Sequence, residues 1–263
     1  RVKQSVEHVL RHTHDSTAGR LLAKKMKNIL SQEKRFNREA TKMTELPTQA
    51  DAIILEFPTI SPLPSTKRVL TIQQMCLKIE EHILVRNINF ELLGQEKIGI
   101  IGKNGVGKST FLKELRHLLK EKRGITLGYM PQNYHDILNE ADSPIDFLTS
   151  TGEAIEQEKI LTHLASLQFT RNEVHHPISQ LSGGQKAKLL LLKMVLDQAN
   201  VLLLDEPTRN FSPTSQPQIR KLFTSYTGAF ITVSHDRTFL KEVCQKIYHL
   251  TETGLEQVRK EQL

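Results

Sequence analysis

The chain has 263 residues, 38% of them hydrophobic and 25% charged, with a formal charge of +7. That composition is ordinary for a soluble globular chain of one or two domains and excludes bulk disorder and collagen-like repeats. Apolar runs such as 189–192 and 201–204 are four residues long, against the roughly 20 a membrane-spanning helix needs, so no direct membrane insertion is expected.

Charge is unevenly placed. Residues 1–46 hold eleven Lys and Arg against five Asp and Glu, a surplus of +6, whereas residues 47–263 hold 25 against 24. Leu22, Met26, Ile29, Phe36, Ala40 and Met43 recur at three- and four-residue steps, with Glu33 interrupting, so this basic arm is expected to contain an amphipathic helix. Val2, Val6, Val9 and Leu10 mark a separate helical piece ahead of it. The first residue is Arg with no charged-then-apolar leader behind it, so the chain reads as a segment of a longer protein. Pro47, Pro58, Pro62 and Pro64 each lack a backbone donor and hold φ at about −65°, which predicts an extended connector over 47–66.

From residue 67 to 263 a different pattern sets in. Strands are expected at 69–77 and 83–92 around a Glu80-Glu81-His82 turn, then a short buried strand at 97–101 and a helix at 109–120. A strand at 125–130 is followed by a mostly helical insert over about 135–198, whose last helix starts near Gly184. Strands at 201–204 and 230–233 precede a closing hairpin over 246–259. Strands alternating with helices imply an α/β domain on a mixed sheet, parallel at its centre. Cys76 and Cys244 make neither a disulfide framework nor a metal cluster; both are expected to be buried in a reducing compartment, the cytoplasm.

Five features carry chemistry. Gly102-Lys103-Asn104-Gly105-Val106-Gly107-Lys108-Ser109-Thr110 matches the phosphate-binding loop GxxxxGK[ST]. Its glycines let successive backbone N–H groups turn toward anionic oxygens at a helix start, Lys108 adds a point charge, and the Ser109 hydroxyl suits Mg²⁺. Asp205 ends an apolar strand, which places a carboxylate at the sheet's carboxyl edge, where it can hold Mg²⁺ through water. Glu206 beside it is placed to orient or deprotonate an attacking water. Ser182-Gly183-Gly184-Gln185 offers an N-cap and two glycines at a helix start, a second anion-binding arrangement. Gln132 and His235 each follow a strand directly.

These features occur once each, in the order phosphate loop, Gln132, Leu-Ser-Gly-Gly-Gln, apolar-Asp-Glu, His235. In that order, over about residues 69–260, the chain resembles the nucleotide-binding domain of the ATP-binding cassette (ABC) superfamily. The resemblance implies a P-loop NTPase fold with a mixed sheet core, a helical subdomain and an antiparallel β subdomain. It implies ATP and Mg²⁺ as cofactors, with Ser109, Asp205 and Gln132 at the metal, and Glu206, His235 and Gln132 as catalytic residues. It also implies a shared site. The 102–110 loop would hold ATP from one side, and Ser182, Gly183, Gly184 and Gln185 would close on the ATP of a second cassette.

Within the superfamily, Lys24-Lys-Met-Lys-Asn-Ile-Leu-Ser-Gln-Glu-Lys-Arg resembles the returning linker helix of ABC-F proteins, ATPases that act on ribosomes. On that resemblance the chain is linker helix plus second cassette, and its basic arm would meet ribosomal RNA. Two other readings stay open: an ATPase subunit energising a membrane transporter, and an ATP-gated clamp without turnover. Where the ABC-F run is Asn-His-Leu-Asp, this chain has Arg209-Asn210-Phe211-Ser212, so Ser212 replaces the aspartate that acts across the dimer. That variant is similar to a Gram-positive subgroup that includes ribosome-protecting antibiotic-resistance proteins. The position of the aromatic that commonly stacks on adenine falls at about Ile79, which leaves the base to apolar contact or to a residue elsewhere in the chain.

Overall fold

The computed structural model describes residues 55–57 and 63–263. The expected arm (1–46) and most of the proline-rich connector lie outside the described residues. Those described fall within one compact unit, Ala50–Leu263.

Its centre is a six-stranded sheet in the order β4-β5-β6-β3-β7-β8. The strands are β3 (Lys97–Ile101), β4 (Leu127–Met130), β5 (Val201–Asp205), β6 (Ala229–Val233), β7 (Lys246–Thr251) and β8 (Gly254–Val258). Neighbours are parallel from β4 through β7, and β8 returns antiparallel on β7, pairing Thr251 with Gly254 at the turn. β5 and β6 are buried along their whole length, because helices or a second sheet cover both faces. That is why they read as continuous apolar runs rather than alternating ones.

Side chains leave a strand to alternate faces, and the core divides accordingly. Leu202, Leu204 and Phe230 face a cluster built with the helical insert, while Val201, Leu203, Ala229, Ile231 and Val233 face the other. The second cluster is closed by β1 (Arg68–Ile79), β2 (His82–Leu93) and α1 (Lys108–Lys120). α1 supplies Phe111, Leu112, Leu115 and Leu119, an apolar stripe at helical spacing. The first cluster is closed by α2 (Pro144–Leu148), α3 (Ala154–Ser166), α4 (Gly183–Leu196), α5 (Gln216–Ser225) and α6 (Arg237–Val243). Gly99 in β3 faces this side, where an added Cβ would lie 2.6 Å from Leu240 and 2.8 Å from Ile247. A side chain at this position would have to displace the ends of Leu240 and Ile247, which pack directly on the strand there. No helix among the described residues is long and apolar enough to cross a membrane.

The strands, the phosphate-loop helix, the helical insert and the hairpin match the sequence reading. Two points differ. Cys76 is exposed, while Cys244 is buried as expected. β1 and β2 form a two-stranded antiparallel ribbon with register shifts between Ile72 and Met75 and between Met75 and Leu77. The bulges leave Leu77 inward and Cys76 turned to solvent, whereas unbroken alternation from the inward Ile72 would have turned Cys76 inward. In addition, α5 and α6 have no counterpart in the sequence reading. The proline near the start of α5 sits in the first helical turn, where its missing N–H costs nothing. α6 is seven residues, too short to show a period, and is fixed by Asp236, whose carboxylate accepts the Phe239 N–H at 2.9 Å.

Candidate functional site

The carboxyl edge of the parallel strands opens into a cleft of about 620 Å³. The loop from β3 to α1 forms its floor, with Asn104, Gly105, Gly107, Lys108, Ser109 and Thr110 in the lining. Gly107 has φ 104° and Gly105 φ 83°, a left-handed backbone that glycine adopts without strain. A Cβ on Gly107 would lie 2.9 Å from Leu84 and 3.1 Å from Leu77, so the loop can rest on the ribbon only with glycine here. Gly102, Lys103 and Val106 stand outside this lining. The Gly102 and Lys103 carbonyls accept hydrogen bonds from Lys108 Nζ at 2.8 and 2.9 Å. Lys103 and Val106 line a second cavity with His249 and Glu252.

β5 delivers Asp205 and Glu206 to the same cleft. β6, inserted between β5 and β3, delivers Ser234 and His235 to its carboxyl end. Ser109 lies close enough to Asp205 to favour its ionised carboxylate. Glu206 has φ 54°, unusual for a residue with a Cβ, and its N–H donates to Val233 O at 2.8 Å. Its carboxylate accepts the His235 N–H at 3.3 Å and the Ser234 hydroxyl at 3.5 Å, and His235 Nε2 lies 3.7 Å away. Gln132 follows β4 and lines the cleft as well.

Electrostatics here are dominated by burial. Asp205 is only 3% exposed, and burial lifts its carboxyl above the usual range against the Ser109 hydrogen bond and Lys108. Burial lifts Glu206 too, countered by the His235 N–H and imidazole. Lys108 is pushed below the ordinary lysine value by burial, with Glu206 and Asp205 pulling it back. A buried acid, a half-buried acid and a buried cation, each unfavourably desolvated, share a cleft whose floor is the glycine-rich loop. That arrangement is built for a ligand carrying both anionic oxygens and a cation.

At the far end of the cleft Ile79 and Leu84 make an aliphatic wall. Ile79 is 48% exposed, a large apolar side chain left open to solvent. The sequence reading did not single out Leu84, nor Arg209, which also lines the cleft. Leu84 is hidden in an ordinary strand pattern, while Arg209 stands out only as a departure from the ABC-F run.

Ser182, Gly183, Gly184 and Gln185 lie outside the cleft lining, at the start of α4. Gln185 N–H donates to Ser182 Oγ at 3.2 Å, and the Ser182 N–H donates back to Gln185 Oε1 at 2.9 Å, a closed capping box. Gln185 Nε2 donates to Glu173 Oε1 at 2.7 Å. Asn210 packs beneath the two glycines, 3.0 Å from where a Cβ on Gly184 would sit. Ser212 bonds with Thr214 and Ser215, both at 2.9 Å.

The ABC transporter family profile matches residues 85–209, from β2 through the phosphate loop to the turn after Glu206. The chain carries an ATP-binding cassette of the ABC superfamily. This cassette is similar to the putative ATP-binding protein YdiF of Bacillus subtilis, 31% identical over 73% of this chain and 31% of that protein. It is similar to ABC transporter F family member 2 of Arabidopsis thaliana, 29% identical over 86% of this chain and 34% of that one. The ribosome protection protein VmlR of Bacillus subtilis is 28% identical over 87% of this chain and 42% of its own. The chain therefore spans 31% to 42% of the length of these three relatives. Among solved structures, the dimeric structure of a bacterial ABC transporter cassette matches with a TM-score of 0.60 at 17% identity, over 72% of this chain and 98% of that one. A dimeric post-hydrolysis cassette bound to ADP and phosphate matches at 0.58 and 18%, over 72% and 98%. At such identities the likeness is one of fold. It agrees with the mixed sheet, helical subdomain and antiparallel ribbon of this cassette.

Proposed function

We propose that this cassette binds and hydrolyses ATP with Mg²⁺ in a cytoplasmic ABC-F protein that acts on the ribosome, and that turnover requires a second cassette. The observation that carries the reading is spatial. The groups suited to hold and attack a γ-phosphate line one cleft, whereas the capped start of α4 lies outside it. A helix start with free N–H groups and two bare glycines is available to another molecule's phosphate, not to its own.

The residues fit both groups. Ser109 and Asp205 are a hydroxyl and a carboxylate in contact, the hard oxygen pair that Mg²⁺ takes while keeping waters and phosphate oxygens as its other ligands. Mg²⁺ supplies charge neutralisation on the phosphates. The loop N–H groups cradle the phosphates, and Lys108 exchanges two loop carbonyls for phosphate oxygens. Glu206 receives a proton from the attacking water, and His235, against its carboxylate, holds it in place. Gln132 completes the cleft lining on the metal side. Ile79 and Leu84 seat the adenine by apolar contact, in place of an aromatic stack.

The ABC-F branch is supported by the F family relative and the ribosome protection relative, each aligned over more than four fifths of this chain. It is supported further by the +6 surplus of residues 1–46, which suits RNA phosphates. A role in ribosome protection against antibiotics belongs to the same reading, through the Arg209–Ser212 variant.

Two measurements test the proposal. Specific ATPase activity should rise with chain concentration, because the shared site forms only in pairs; constant specific activity down to nanomolar chain would overturn the shared site. The chain should pellet with ribosomes in the presence of a non-hydrolysable ATP analogue, with affinity falling by about 0.7–0.9 log units per phosphate contact for each log unit of salt. A chain with Lys24, Lys25 and Lys27 all changed to Glu that pellets as well as the unaltered one would refute the RNA-binding arm.

A further inference from the structure

The turn after Glu206 carries a second cation into the cleft. Arg209 shares the lining with Lys108, Gln132 and His235, and its N–H donates to Glu206 O at 3.1 Å. The guanidinium therefore rides on the same turn as the carboxylate beside the reacting centre. That turn is held by contacts on its other side. Thr208 and Phe211 are buried, the Phe211 N–H donates to Thr208 O at 3.2 Å, and Asn210 Nδ2 donates to the Tyr134 hydroxyl at 2.8 Å. With 208, 210 and 211 anchored, residue 209 is the one the turn leaves for the cleft. Among the described residues no hydrogen bond or ion pair engages the Arg209 guanidinium, so its donors are available to a ligand.

The cleft has a direction. Leu84 touches the phosphate loop at Gly107, Lys108 is coupled electrostatically to Asp205 and Glu206, and Glu206 touches His235. A nucleotide with its base on Ile79 and Leu84 thus points its last phosphate toward Glu206, His235 and Arg209. A guanidinium there offers a rigid fork of N–H donors that matches two phosphate oxygens. A diphosphate would end at the loop, short of this fork.

We infer that Arg209 binds the γ-phosphate and lets the site discriminate a nucleoside triphosphate from a diphosphate. This rests on the nucleotide-binding reading above. The usual ABC-F run has Asn where this chain has Arg209, so the cation is a departure from that run.

The test compares affinities rather than turnover. The 263-residue chain, Arg209→Ala and Arg209→Lys are titrated with ADP and with the β,γ-imido analogue of ATP, both with Mg²⁺. Arg209→Ala should weaken the triphosphate analogue by about tenfold, the scale of one lost charge-assisted contact, and ADP by less than about twofold. Arg209→Lys should fall between, since a point charge replaces half of a bidentate pair. Equal weakening for both nucleotides, or none for either, would overturn the assignment. Weakening confined to chain concentrations at which the cassette pairs would place the guanidinium on the partner's nucleotide and overturn it as well. If the unaltered chain binds neither nucleotide, the nucleotide reading itself fails and the assignment falls with it.

Discussion

Glu206→Gln should lower ATP turnover by about 10²–10⁴-fold, the usual contribution of a positioned general base, while nucleotide affinity should stay within about twofold. The amide keeps the shape and can still accept the His235 N–H that the carboxylate accepts at 3.3 Å, so the cleft keeps its form. What is lost is the capacity to take a proton. Paired phosphate-release and nucleotide-binding assays check both halves. Turnover within threefold of the unaltered chain would mean that another group activates the water. The pH profile carries an independent signature. Burial raises the Glu206 carboxyl above the ordinary value of about 4.3, so on acidification it is protonated sooner than a solvated glutamate. The acid limb of the turnover profile should therefore lie above the normal carboxylate range, and it should vanish in Glu206→Gln.

Phe223→Ala should cost about 3–5 kcal/mol of stability, the range for removing a fully buried phenyl ring. Phe223 has no solvent exposure. It stands edge-on to Phe230 at 5.9 Å and to Phe239 at 5.7 Å, with Phe57 at 6.3 Å. Three rings on β6, α6 and the chain before β1 thus share one contact, and they cannot all move in to fill the space. Lys97 Nζ also holds the backbone here, on Phe223 O at 2.9 Å and Thr224 O at 2.7 Å, which pins the end of α5 and limits collapse. Urea unfolding of the two proteins measures the difference. A loss below about 1 kcal/mol would show that the cluster repacks, and Phe223→Leu should lose less than the alanine variant.

The phosphate loop was legible because its chemistry is local. Glycine freedom, the Lys108 charge and the helix start all lie within nine consecutive residues. Asp205 was legible for a related reason, since an apolar run ending in an acid marks a buried strand reaching an edge. The ribbon was legible as strands but not in its facing. Period-two alternation fails at a bulge, so Cys76 came out on the solvent side. α6 was too short for any period to emerge, and the proline near the start of α5 is neutral only because of where the helix starts. Arg209 carried no local signal of function, because an arginine in a polar turn is by itself an ordinary surface residue.

Residue types and spacings therefore determined the inventory: a phosphate cradle, a capped helix start, two acids at a strand end, and a basic arm ahead of a nearly neutral domain. Each is set by interactions within a turn or two of chain. Tertiary structure decided which members of the inventory meet. Pairing placed β6 between β3 and β5, which brings His235 to Glu206 from 29 residues away. Packing set the start of α4 against Asn210, outside the cleft. It also left Arg209 lining that cleft. Strand order and helix docking are won by burying two apolar clusters on opposite faces of one sheet, a competition among distant segments that no local spacing records.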